Sequence, residues 1–342
     1  MDSFASAPEV QFALEAVRRA SHLTQQVQAE LIGASLSKSD RSPVTVADFA
    51  VQALVGGLLA AAFPNDPLVA EEASTELRPL ERQPILNRVT EFVGRVLPKA
   101  TPRDVCAWID RGAASPAARF WTLDPVDGTK GFLRGDQYAV ALALVVDGQV
   151  KVGVLGCPNL RDGSSRERGG QGFAVVAVRG HGSWSVPLHG PGDFTRLRVS
   201  TCSEPAKACL LRSVESDHTD VGLTQAFIRL LGIQAPPVLM DSQAKYALLA
   251  AGGGDLLVRL PSPSFPEYRE NIWDHAAGWL ALEEAGGRIT DTAGESLDFA
   301  AGRKLARPRG VLASNGHLHA AALEALRCAR QEQARSAGKA EG

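Results

Sequence analysis

At 342 residues and 45% hydrophobic, the chain can bury one large or two ordinary cores; a formal net charge of −2 with no basic run lacks the clustered cations of a polynucleotide-binding surface. No apolar run is read as the ~18–20 residues of a membrane span, and residues 1–9 carry neither a secretory nor a transit pattern, so a soluble, cytoplasmic chain is expected. Five cysteines with no CxxC pair fit a reducing compartment and argue against both zinc and a disulfide framework.

Residues 7–31 place Phe12, Val17, Leu23, Val27 and Leu31 near helical spacing, which predicts a long first helix stopped by Gly33. A second helix is expected over residues 49–63, with Asp48 at its first turn and Pro64 to Pro67 ending it. Leu68, Val69 and Ala70 read as a brief strand delivering Glu71 and Glu72, and residues 77–97 as an amphipathic helical region interrupted at Pro79 and Pro84. Phe120 to Leu123 read as a short buried strand whose ladder Pro125 stops. Residues 138–146 and 150–155, joined at Asp147 and Gly148, predict a hairpin. Residues 172–178 and 197–200 are expected to continue the sheet, with loops over 161–170 and 180–192. The late stretch IWDHAAGWLALEEAGGRITD predicts a helix opening at Asp274, then Gly286 and Gly287, then a strand; the polar tail 331–342 is expected to fray. A boundary near Asp193 divides an α+β unit, 1–193, from an α/β unit, 194–342.

The stretch FWTLDPVDGTKGF concentrates Asp124, Asp127 and the Thr129 hydroxyl on one turn. Two carboxylates held that close repel unless a cation lies between them, and hard oxygen donors favour Mg²⁺ over softer metals. A plain Asx turn is the competing reading. Asp274 has a similar bland alternative as a helix cap and dipole partner. Three acidic signals, Glu71 with Glu72, Asp124 with Asp127, and Asp274, each stand beside a strand end or helix opening. Together they suit one cleft holding two or three divalent ions, the arrangement that polarises a phosphoryl group and activates water for ester hydrolysis.

WTLDPVDGTKGF together with WDHAAGWLALEEAGGRITD resembles the paired signature of the lithium-sensitive, magnesium-dependent inositol monophosphatase superfamily. Within it, SKSDRSPVTVADFA, KGFLRGDQYAVALALVVDGQVKVGVLGCPNL, DSQAKYALLAAG and VRLP are similar to the 3'(2'),5'-bisphosphate nucleotidases, over about residues 8–325. The resemblance implies an α+β fold, a layered α/β/α/β/α sandwich of the inositol monophosphatase and sugar phosphatase type. It also implies Mg²⁺-dependent release of the 3'-phosphate from adenosine 3',5'-bisphosphate, and from its sulfated analogue, with inhibition by Li⁺. The partner implied is a small nucleotide bisphosphate, with no polynucleotide, no membrane and a monomeric enzyme.

Residue by residue, the resemblance implies Glu71, Asp124, the carbonyl of Val126, Asp127 and Asp274 as metal ligands, with Glu72 behind Glu71. Asp48 is implied to orient the attacking water and Thr129 to partner it. The Gly128 and Thr129 amides suit phosphate oxygens as a small nest. His218, Ser242, Lys245, Arg259 and Asp274 match positions that hold the nucleotide; physically, Lys and Arg converging on a second phosphate would select bisphosphates. Ser242 could equally cap a helix from Gln243 onward, and His218 could be a surface histidine. Two details depart from the pattern: Ala70 stands where Gly is common, and Ser216 with Asp217 put a carboxylate beside His218. An inositol mono- or polyphosphate 1-phosphatase shares the metal residues but not the nucleotide set. An aspartyl-phosphate phosphatase spaces its two aspartates by two rather than three. A catalytically silent nucleotide or metal sensor is disfavoured because every matched ligand position is still acidic.

Overall fold

Alternation of side chains along the strands splits the apolar residues among three cores, and so stacks the chain into layers. The computed structural model describes residues 3–32, 42–161, 172–190, 192–214, 219–265, 267–307 and 310–340. Among them the first half holds α1 (Pro8–Val27), α2 (Ser42–Ala62), β1 (Leu68–Ala70), α3 (Gln83–Val96), α4 (Pro102–Asp110), β2 (Arg119–Asp127), α5 (Thr129–Arg134), β3 (Ala139–Val146), β4 (Gln149–Cys157), β5 (Phe173–Val178), β6 (Gly182–Pro187) and β7 (Thr195–Arg196). The second half holds β8 (Leu210–Arg212), α6 (Val221–Leu231), β9 (Val238–Leu239), α7 (Ala244–Ala250), β10 (Leu256–Arg259), α8 (Ala276–Glu284), β11 (Arg288–Asp291), β12 (Val311–Ser314) and α9 (His319–Ala340).

The first seven strands form one sheet in chain order, antiparallel except for the parallel pair β1 and β2. The last five form a second sheet ordered β11, β12, β10, β8, β9. Val140, Leu142 and Leu144 of β3 join α1 and α2 in one core, while Ala139, Ala141 and Ala143 face α7 and α8 on the other side. That second face is paved with small side chains because α8 lies close; a β-carbon on Gly153 would come within 2.9 Å of the Ala277 carbonyl oxygen. In β10, Leu257 joins this middle core, whereas Leu256 and Val258 pack with α6 and α9 in the third. The result is the expected five-layer α/β/α/β/α sandwich.

The hairpin appears where Asp147 and Gly148 both take positive φ, 50° and 73°, which suits a two-residue connection. Several local expectations are corrected. Helix α2 begins at Ser42, not residue 49, because Pro43 in a first turn lacks only a donor that would be orphaned anyway; Asp48 therefore sits in its second turn. Pro84 likewise opens α3 rather than interrupting a helix. Pro125 does not stop β2, which runs to Asp127 through an irregularity in its pairing with β3. Residues 182–187, read as loop, pair with β5, while 197–200 form no strand: Leu197 and Val199 donate single backbone bonds to Ser183 and Ala285. The expected loop over 161–170 lies, after Arg161, outside the described residues. The tail continues as helix to Ala340 instead of fraying. Finally, Pro43–Ala62 of α2 is long and apolar enough to cross a membrane, with a mean hydropathy of 1.8, but 78% of that window is buried within the fold.

Candidate active site

Helix α2 is apolar nearly all round, so its two buried polar side chains, Asp48 and Gln52, stand out one turn apart on one face. Gln52 is one residue that sequence reasoning missed. Its Nε2 donates to the carbonyls of Glu72 and Ile109 at 2.7 and 2.8 Å, and its Oε1 accepts from Glu72 N at 2.8 Å. That fixes the backbone turn after β1 against α2. A fully buried amide in an otherwise apolar helix was the signal that could have flagged it.

Asp48 is 7% exposed, and its Oδ1 has no hydrogen-bond partner. Burial, followed by the charges of Glu72 and Glu71, holds its carboxyl well above the usual range. Asp124 is similar: 3% exposed, Oδ1 unpartnered, and pushed well up by burial and then by Asp127, Glu71, Asp274 and Asp48. On a regular strand, residues three apart face opposite sides. Pairing shifts between Asp124, opposite Ala141, and Asp127, opposite Ala139, so Pro125 and Val126 together oppose Val140. This extra residue reverses the parity, and lets the two aspartates share a side. Val126 is buried at the irregularity.

Glu71 is exposed at the turn, yet partial burial and the charges of Asp274 and Asp127 raise it to about 7. Glu72 is raised to about 8 by burial and then by Glu71. Asp274 reaches about 6: burial raises it, while Arg259 and His275 oppose that rise. Asp274 does not cap α8, whose N-cap His275 makes no side-chain bond; its Oδ2 accepts instead from Asn271 N at 2.8 Å, in a reciprocal capping box on the short turn Ile272–Asp274 that precedes the helix. Asp127 Oδ2 accepts from Gln243 N at 2.6 Å, bringing the end of β2 to the start of α7.

Gly128 and Thr129 open α5, with Gly128 at φ 89° and Thr129 exposed. No hydrogen bond joins Thr129 to Asp48 among the described residues. A cleft of about 300 Å³ is lined by Asp127, Gly128, Thr129, Ser242, Lys245 and Arg259. Six of the residues singled out in the sequence thus share one cavity. Glu270 and Tyr268 also line it and went unread; Tyr268 is an aromatic ring left 44% exposed.

Lys245 is 3% exposed, donates to the Met240 carbonyl at 3.0 Å, and is held down to about 8 by burial and the Arg259 charge. Arg259 Nε lies 2.6 Å from Glu270 Oε1, and His275 Nε2 lies 3.1 Å from the other oxygen of Glu270. Tyr246 Oη in turn is 2.8 Å from His275 Nδ1. Ser242 adopts φ 67°, and its Oγ accepts from Ala244 N at 3.1 Å, just ahead of α7. His218, with Ser216 and Asp217, lies outside the described residues.

The acidic groups fit a divalent cation. Buried carboxylate oxygens on Asp48 and Asp124 lack partners, and burial, with neighbouring carboxylates adding to it, raises Glu71, Asp124 and Asp274, a cost a cation would relieve. The donors are all oxygen, which suits Mg²⁺. Among the described residues, no three His, Cys, Asp or Glu side chains form a preformed metal-binding group; Asp127 and Asp274 each accept from a backbone amide instead.

The Inositol monophosphatase family matches residues 5–331. The chain is 42% identical to a 3'(2'),5'-bisphosphate nucleotidase of Schizosaccharomyces pombe, over 90% of this chain and 91% of that one. It is 41% identical to a 3'(2'),5'-bisphosphate nucleotidase of Oryza sativa, over 97% of each. An inositol monophosphatase from Zymomonas mobilis has the same fold, with a TM-score of 0.64 at 21% identity, covering 96% of this chain and all of that one. With a match across nearly its whole length and the layered architecture of a solved member, the chain belongs to the inositol monophosphatase family.

Proposed function

We propose that this chain is a 3'(2'),5'-bisphosphate nucleotidase that hydrolyses the 3'-phosphate of adenosine 3',5'-bisphosphate, and of its sulfated analogue, to the 5'-nucleotide and phosphate. Members of this family are metal-dependent phosphatases. The observation that carries the reading is that Asp127, Gly128 and Thr129 line one cleft together with Lys245 and Arg259. The first three suit the ester that breaks, and the two cations a second phosphate. The identity to curated nucleotidases supports the same substrate class.

Glu71, Asp124, the Val126 carbonyl, Asp127 and Asp274 would hold Mg²⁺, two or three ions. Bound there, the metal neutralises the carboxylates, acidifies water and draws charge from the phosphoryl oxygens. Asp48 orients and deprotonates the attacking water, its raised affinity for a proton suiting a base. Thr129 supplies a hydroxyl beside that water. The Gly128 and Thr129 amides take phosphate oxygens, and Ser242, Lys245, Arg259 and His218 hold the nucleotide. Water adds to phosphorus, the bond to the 3'-oxygen breaks, and that oxygen leaves with a proton. The reading extends to a monomeric, cytoplasmic enzyme of two units meeting near Asp193, inhibited by millimolar Li⁺.

Phosphate release from adenosine 3',5'-bisphosphate and from inositol 1-phosphate, each with Mg²⁺ and with chelator, tests the reading. Fast Mg²⁺-dependent release from the nucleotide alone is expected. Preference for the inositol ester would keep the metal residues and overturn the roles of Lys245 and Arg259. Tight binding of the nucleotide without release would mark a sensor.

A further inference from the structure

Arg303 lies in the loop between β11 and β12 and makes contacts out of proportion to its place there. Its Nη1 donates to the carbonyls of Gly112 and Ala114, each at 2.9 Å, and its Nη2 donates to the carbonyl of Ala70. Its guanidinium lies over the Trp273 ring, 5.0 Å from the centroid. Among the described residues it has no carboxylate partner, and burial holds its pKa below the usual arginine value. A cation of this kind placed on three carbonyls and an indole, rather than on an anion, is committed to fixing backbone.

The backbone so fixed is that of the metal turn on both sides. The Ala70 carbonyl belongs to the peptide that leads into Glu71, and Ala70 N also donates to Gly112 O at 2.9 Å. Trp273 immediately precedes Asp274. The main chain of the same loop pairs with the segment before Asp274: Ile272 N donates to Arg303 O at 3.0 Å, and Leu305 N to Glu270 O at 2.9 Å. Glu71 follows a strand of the seven-stranded sheet, while Asp274 precedes α8, more than 200 residues later. One side chain thus touches the main chain ahead of one acidic group and the ring ahead of the other. A planar fork can take diverging carbonyls while stacking on a ring; a lysine ammonium cannot do both.

We propose that Arg303 is a positioning residue that sets Glu71 and Asp274 at the separation a divalent cation requires. This rests on the reading of Glu71 and Asp274 as metal ligands. Partners of ligands, removed, typically cost about 10–100-fold in metal affinity.

The test measures Mn²⁺ binding by electron paramagnetic resonance, together with the metal dependence of turnover, in the full chain and four variants. Arg303→Met is expected to weaken Mn²⁺ binding about 10–100-fold, with kcat at saturating metal changing far less. Arg303→Lys, which keeps the charge and not the fork, is expected to lose most of the same affinity, and carries the test if the methionine variant does not fold. Arg18→Met removes an arginine-to-carbonyl bond elsewhere, from α1 to Pro187 at 2.8 Å, and is expected to leave Mn²⁺ affinity intact. Glu71→Gln tests the underlying reading: lost affinity upholds it, and unchanged affinity overturns both it and the role of Arg303. Lost affinity in Glu71→Gln with wild-type affinity in both Arg303 variants, or an equal loss in Arg18→Met, overturns the Arg303 proposal alone.

Discussion

Gly128 and Ser242 line the same cleft and pack so closely that a β-carbon on Gly128 would lie 2.8 Å from the Ser242 β-carbon. Both residues hold positive φ, 89° and 67°, a conformation that costs most L-residues about 1–2 kcal/mol. Gly128 tolerates it for want of a side chain; Ser242 is held there by its neighbours, a strain typical of binding sites. Gly128→Ala should therefore destabilise the fold by at least about 1–2 kcal/mol and push Ser242 away, lowering turnover. Thermal or urea unfolding alongside phosphate release checks this. A variant as stable and as active as wild type would contradict the packing.

Asp48 is a buried carboxyl with an unpartnered oxygen, a costly arrangement unless it serves chemistry. Asp48→Asn keeps the shape and removes the acid. Turnover should fall about 10²–10⁴-fold, as loss of a general base typically costs, while the melting temperature holds or rises. Turnover within tenfold of wild type would remove Asp48 from the reaction.

Asp274, Glu71 and Glu72 are raised to about 6, 7 and 8 from ordinary values of 3.8, 4.5 and 4.5. Between those limits the metal-free folded chain keeps protons that the unfolded chain has released, so rising pH favours unfolding. Their contribution is whole below about pH 4 and disappears as pH climbs through those three values. Metal-free protein should melt lower at about pH 8.5 than at about pH 5.5, and excess Mg²⁺ should flatten the difference. Equal melting temperatures without metal would mean that burial and mutual repulsion do not raise these carboxyls as described.

The elements most legible in the sequence are those whose signal is local. Leu68 to Ala70, the Asp147–Gly148 hairpin and the helix after Asp274 need only apolar runs and a two-residue turn. Asp124, Asp127 and Asp274 were legible as candidates because their spacing next to glycine and aromatic residues resembles a known family. Errors arose where a partner supplies what the local sequence lacks. Pro125 has no donor to give a ladder, but an irregular pairing opposite Val140 does not require one. Gly182 to Pro187 looks like a loop by composition, yet the ladder offered by β5 makes it a strand. Gln52 could have been flagged only as a lone amide in an apolar helix, and Arg303 not at all, since the carbonyls they hold lie up to 57 and 233 positions away in the chain.

The central claim is that Lys245 reads a second phosphate. Lys245→Met keeps the bulk of a 3%-exposed side chain and deletes its charge. The decisive measurement is kcat/KM for adenosine 3',5'-bisphosphate against adenosine 3'-monophosphate, in wild type and in this variant. A charge-assisted contact worth about 1.5–3 kcal/mol should vanish for the bisphosphate alone, collapsing its preference by about 10–100-fold. An equal loss on both substrates would place Lys245 in the fold rather than in recognition, and contradict the account.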